Sequence, residues 1–156
     1  MLDVPVESAY VWFGLLVVSA TLLGLVLRVP TAPPPDAAAT ARTVDSVASS
    51  PYEAQGRHPL DATAIRLGSE RVGLRTDGGE AHAAFAYDSV VPVLGHEGLS
   101  AVLRGRPPSA VFDTVSEFAA ALETTRTTDP HWQPAPSVLL VRRVSWGDAN
   151  ATLVGA

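Results

Sequence analysis

Apolar and polar residues follow two regimes along this chain. From Ser8 to Leu27 the stretch SAYVWFGLLVVSATLLGLVL carries no charge and is closed by Glu7 and Arg28. About 20 such residues, rising 1.5 Å each, make a helix of roughly 30 Å, the thickness of bilayer hydrocarbon. The pattern predicts a transmembrane helix over 8–28 after a flank at 1–7. That flank, MLDVPVE, holds acids and no base. It is unlike the basic start of a cleaved secretory signal, so a retained anchor is expected.

Beyond the run the regime changes. Residues 29–35 are a proline-rich spacer that favours extended polyproline II. Asp36 has N-cap character. Ala41, Val44 and Ala48 at helical spacing predict a juxtamembrane helix over 36–50, ended by Ser50-Pro51. Residues 51–59 read as a loop, and the head is expected over 60–156. Alternation over 64–67 and 71–75 predicts two strands. Asp77-Gly78-Gly79 is a hairpin signal leading into a returning strand over 81–87, and a segment at 89–94 holding Pro92 suits an edge or a bend.

Leu99 to Arg104 reads as a short helix with Gly105 as its stop. Thr114-Val115-Ser116-Glu117 has capping-box form, and Val115, Phe118, Ala119 and Leu122 predict a helix over 114–125. Ser137 to Trp146 is a strong strand, returning through Gly147–Asn150 into a short last strand at 151–154. The expected fold class is α+β: an N-terminal transmembrane helix, then a small antiparallel sheet with two or three helices on one face.

Within the apolar run, Tyr10 and Trp12 suit the headgroup level at one end. Gly14, Val18, Thr21 and Gly24 share one narrow helix face, and Ala20 and Gly24 form a small-xxx-small pair. Such a face lets a second helix approach closely in lipid. The expected partners are therefore the bilayer, and proteins met through this helix and through the head.

Composition removes several functions. All 11 basic side chains are arginine, against 16 acids, and cysteine is absent. Without lysine there is no P-loop lysine, Schiff-base lysine or Ser–Lys dyad. Without cysteine there is no disulfide, thiolate zinc site or thiol nucleophile. The negative balance disfavours nucleic acid as a partner. His58, His82, His96 and His131 make no metal-binding pair in sequence. His82, Asp88 and His96 are the set from which a fold could assemble a metal site, and solvent-exposed histidines are the simpler reading. No nucleophile elbow or dinucleotide fingerprint occurs. No catalytic residue, cofactor or metal is expected, and the chain reads as a non-enzyme.

Arg142 and Arg143 point to opposite faces of their strand, one expected in solvent and one at the core edge beside an acid. Trp132, Arg143 and Trp146 are candidate partner contacts, since Trp and Arg are favoured at interfaces. Core packing is the competing role for both tryptophans. Asn150-Ala151-Thr152 is an N-glycosylation acceptor sequence, which matters only outside the cell.

Lysine-free, alanine-rich, mildly acidic chains resemble the proteins of halophilic archaea. The segments Thr31-Ala32-Pro33-Pro34-Pro35-Asp36-Ala37-Ala38 and Val141-Arg142-Arg143-Val144-Ser145-Trp146-Gly147, joined to an N-terminal span after an acidic start, resemble a family of uncharacterised haloarchaeal single-pass membrane proteins. That resemblance implies association with type IV pilus-like assembly or secretion systems, an outward head, and a helix that packs with other helices. Glu7 before the run fits the pilin pattern. No basic leader or prepilin cleavage sequence accompanies it, so an uncleaved pseudopilin-like or accessory subunit is implied.

The expected function is a non-enzymatic, membrane-anchored accessory or assembly subunit of such a system. The alternative is a membrane-tethered extracytoplasmic solute- or envelope-binding module. Arg28 alone draws its own side inward by the positive-inside rule. The acceptor sequence and the resemblance place the head outside, and single-pass topology with an extracytoplasmic head is the expected localisation.

Overall fold

The computed structural model describes residues 6–26, 33–93 and 95–155, with side-chain surroundings in the first helix given from residue 9 to 25. The chain divides into two units, residues 1–33 and 34–156. The first holds α1, Val6–Val26, 21 residues long. Its apolar side chains project on every side, and Tyr10, Phe13, Leu16 and Leu25 are each at least 66% exposed. Thr21 Oγ1 donates to the Val17 carbonyl at 2.7 Å, so its hydroxyl is satisfied within the helix. Among the described residues, no helix is both long and apolar enough to qualify as a membrane crossing.

The second unit is α+β and contains two sheets rather than the single one expected. It opens with α2, Ala37–Ala48. Asp36 caps α2 by accepting from the Ala39 amide at 2.8 Å. Its buried face is broader than the sequence implied: Ala37, Thr40, Ala41, Val44, Val47 and Ala48 are all covered. Thr40 can be buried because its hydroxyl donates to the Asp36 carbonyl at 3.3 Å. This helix is part of the head's core and touches strands of both sheets.

The central sheet runs β1 (Ala54–Pro59), β7 (Val138–Trp146), β8 (Ala149–Gly155), β5 (Val90–Pro92). β1 corrects the expected loop at 51–59. Its sequence AQGRHP lacks an apolar rhythm, but it pairs antiparallel with β7 from Ala54↔Arg143 to Pro59↔Val138. At Gly56 a Cβ would lie 2.8 Å from Val47 Cγ2, so the missing side chain is what lets α2 approach. β5 pairs parallel with β8 and lies at the sheet edge, where Pro92 is tolerated.

The second sheet runs β4 (Gly79–Ala84), β3 (Arg71–Thr76), β2 (Ala64–Leu67), β6 (Trp132–Pro134), all antiparallel. The β3–β4 hairpin turns at Asp77-Gly78, between Thr76 and Gly79. The strand expected over 81–87 therefore starts earlier and ends at Ala84. β6 has only three residues and ends on Pro134, so nothing local marks it as a strand.

Two cores follow. Ile65, Leu67, Val72 and Leu74 of the second sheet join Leu139, Val141 and Val154 of the central sheet and the α2 face. On the other side of the central sheet lie α3 (Glu97–Leu103) and α4 (Val115–Arg126). Their Leu99, Val102, Phe118 and Leu122 pack against Val91, Val144, Ala151 and Leu153. Helices thus cover both faces of the central sheet, not one. Thr114 caps α4 by accepting from the Glu117 amide at 3.1 Å, and Glu117 Oε2 accepts in return from the Asp113 amide at 3.1 Å. The buried face of α4 is Phe118, Ala121, Leu122 and Thr125; Ala119, expected inside, is exposed.

Candidate functional site

The outer face of the second sheet is where unpaired chemistry collects. Strand alternation sends Ile65, Leu67, Val72 and Leu74 inward, so Arg66, Arg71, Gly73 and Arg75 take the other face. The register sets Trp132, Arg66, Gly73 and His82 in one row across four strands. Arg75 and Glu80 stand opposite each other in the neighbouring row.

Gly73 is the floor. A Cβ there would come within 2.6 Å of His82 Nδ1 and 3.1 Å of Trp132 Cη2. The two rings close over it, with centroids 5.9 Å apart. Arg75 lies over the Trp132 ring, its guanidinium carbon 4.3 Å from the centroid, and its Nε donates to Glu80 Oε1 at 2.7 Å. The charge of Arg75 is thereby matched and its stem fixed. His82 Nε2 is 3.8 Å from the other Glu80 oxygen. Beside these groups Arg66, Gly68, Arg71, Gly73, His82 and Pro130 line a concavity of about 290 Å³.

Of the residues named as partner contacts, this face receives Trp132 alone. Arg143 and Trp146 go elsewhere, on opposite faces of the central sheet. Arg143 donates to the Ala48 carbonyl, at the end of α2. Trp146 packs 6.0 Å from Phe118 in the α3–α4 core. Arg142 is 7% exposed and donates to the carbonyls of Val102 and Arg106, the latter at 2.9 Å, with Glu53 3.9 Å away. Neither arginine lies on a solvent face. Helices cover both sides of their strand, and each guanidinium holds the carbonyl end of one.

The histidines are likewise dispersed. His96 caps α3 by accepting from the Leu99 amide at 3.3 Å, and His58 Nδ1 lies 3.0 Å from Thr43 Oγ1. His82 stands over Gly73. His82, Asp88 and His96 therefore do not assemble, and no cluster of three or more metal-ligating side chains occurs among the described residues. Asn150 is exposed beside the β7–β8 turn, whereas Thr152 of its acceptor triplet is fully buried, with Oγ1 3.4 Å from Ser89 Oγ. Along α1, Thr21 and Gly24 border a shallow depression with Ala20, Leu22 and Leu25. Nothing lies within 4 Å of a Cβ built at Gly14 or Gly24.

The sequence reading missed Arg66, Arg71 and His82 as a group. The alternation Arg71-Val72-Gly73-Leu74-Arg75 was visible. Pairing with Arg66 and His82 depends on register, which the sequence does not display.

Fold and site define an α+β head with one open sheet face, following an apolar helix. The chain belongs to the DUF7283 family, a family of unknown function, whose model matches residues 3–144. No curated protein and no solved structure matches it.

Proposed function

We propose that this protein is a non-enzymatic, single-pass membrane-anchored interaction subunit, with α1 in the bilayer and the head presented outside the cell. An accessory or assembly role in a type IV pilus-like or secretion system is the setting implied by the resemblance. The observation that carries the anchor is α1 itself. It is a 21-residue helix whose described large apolar side chains are all exposed, while both cores of the head are built from residues 37 onward. Apolar side chains exposed on a helix need an apolar surrounding, and the uncharged run of residues 8–27 is the sequence feature whose length corresponds to about 30 Å of hydrocarbon. The small-residue face of Gly14, Val18, Thr21 and Gly24 is the proposed helix contact.

Alkaline carbonate extraction tests the anchor: the chain stays with the membrane pellet, and release into the supernatant removes the proposal. Protease treatment of intact cells should digest the head and spare α1. Mild crosslinking before solubilisation should recover filament or secretion components. Recovery of unrelated proteins alone would rule out that setting while leaving the anchor intact.

The open sheet face favours a second reading, a membrane-tethered solute- or envelope-binding module. Its concavity over Gly73 is shaped by two rings and flanked by guanidinium groups, as a small-ligand site would be.

A further inference from the structure

We infer that the concavity over Gly73 is a binding site for a compact oxyanion, a phosphate or a carboxylate, held between Arg66 and Arg71. This rests on the second reading and names its ligand class. The first observation is that these two guanidinium groups are unspent. Arg66 donates through Nε to the Pro130 carbonyl at 3.2 Å, which fixes its orientation. Its terminal amino groups have no partner among the described residues, and Arg71 has neither an ion pair nor a side-chain hydrogen bond there. Every other arginine of the two sheets' interior strands is engaged: Arg75 by Glu80 and Trp132, Arg142 and Arg143 by helix-end carbonyls.

The second observation is the lining. No carboxylate borders the inner concavity, in a chain of net charge −5. An adjoining concavity of about 210 Å³ shares Gly68, Arg71 and Pro130, and also contains Arg126. Arg126 Nε is buried without a hydrogen-bond partner among the described residues. Glu70 and Asp129 border that outer space, so a long polyanion meets repulsion just beyond the inner pair. The inner volume of about 290 Å³ falls just below the range of roughly 300–1,000 Å³ for drug-sized ligand sites, which suits a compact ion. Planar guanidinium forks match the oxygens of carboxylate and phosphate, and charge-assisted bonds of this type are the stronger ones. The site is open to solvent, so salt weakens it.

The test uses the full chain in detergent micelles at low ionic strength. Inorganic phosphate and glucuronate are titrated separately by calorimetry, with glucose as the neutral control. Saturable binding of phosphate alone points to a free or esterified phosphate; binding of glucuronate points to an acidic sugar of the envelope. Arg71→Gln and Arg66→Gln each weaken the bound anion by about tenfold or more. Arg57→Gln, on exposed β1, leaves it unchanged. The inference is overturned if neither anion saturates, if glucose binds as well as they do, or if both arginine variants bind like the parent chain. Carbonate extraction of the same variants reads the anchor separately, so failure here does not touch it.

Discussion

The two sheets of the head use the same residue type in opposite ways. On β7 of the central sheet, Arg142 and Arg143 project to opposite faces, and each meets a helix end. Arg142 holds the turn after α3, and Arg143 holds the last carbonyl of α2. The second sheet has one face on the core and one open, and there Arg66, Arg71 and Arg75 stand out from the surface. Arginine between covered faces must satisfy its donors internally, because an unpaired buried charge is costly. Arginine on an open face keeps its donors in water and can exchange water for a ligand. Coverage, not residue identity, separates the structural cations of this protein from the available ones.

Substitutions can break or sharpen that contrast. The largest effect is expected from Phe118→Ala, since Phe118 is fully buried between Phe112 and Trp146. Denaturant unfolding of the head should show a loss of about 3–5 kcal/mol. A loss below about 1 kcal/mol would mean that the α3–α4 core does not support the central sheet as described.

Arg142→Met should follow, at about 2–3 kcal/mol, because the buried Val102 carbonyl and the half-buried Arg106 carbonyl lose a charged donor. Hydrogen exchange should accelerate at the end of α3 and not at α2. Arg143→Met is expected to cost about 1–2 kcal/mol, with the acceleration moved to the end of α2. Equal exchange at both helices in both variants would contradict the assignment of one helix to each arginine.

The open sheet should respond differently. Gly73→Ala costs about 1 kcal/mol or less, because the closest clash falls on the exposed His82 side chain, Trp132 Cη2 at 3.1 Å need give only slightly, and alanine restricts the unfolded chain. Its Cβ nevertheless occupies the floor, so phosphate or glucuronate binding should fall. Arg71→Gln is the smallest in stability, within about 0.5 kcal/mol, as for an exposed side chain without partners. If Arg71→Gln destabilised the head as much as Arg142→Met, the distinction between the two sheets would collapse.

Much of the head was legible where local signals are strong. The Thr114 cap and the period of Phe118 and Leu122 marked α4. Asp77-Gly78 marked a hairpin, and Val138–Trp146 announced a strand through its apolar run. β1 and β6 were illegible for a physical reason. AQGRHP has no apolar alternation and WQP is only three residues long, and they extend because β7 and β2 offer them backbone partners. The division of strands between two sheets was hidden for the same reason: β2 finds β6 more than sixty residues later. Of the candidate site, Trp132 and the outward set Arg71, Gly73 and Arg75 could be read locally. Their conjunction with Arg66 and His82 could not.

By itself the sequence determined the uncharged run that makes α1, the caps and turns that bound the elements, and the absence of lysine and cysteine chemistry. These depend on neighbours within a few residues. Only the tertiary structure decided that α2 belongs to the core, that Arg142 and Arg143 serve helix ends, and that Gly73 lies beneath two rings beside the guanidinium groups of Arg66 and Arg71. Those outcomes depend on strand register and on which sheet face is covered, which are set by pairings between residues far apart in the chain.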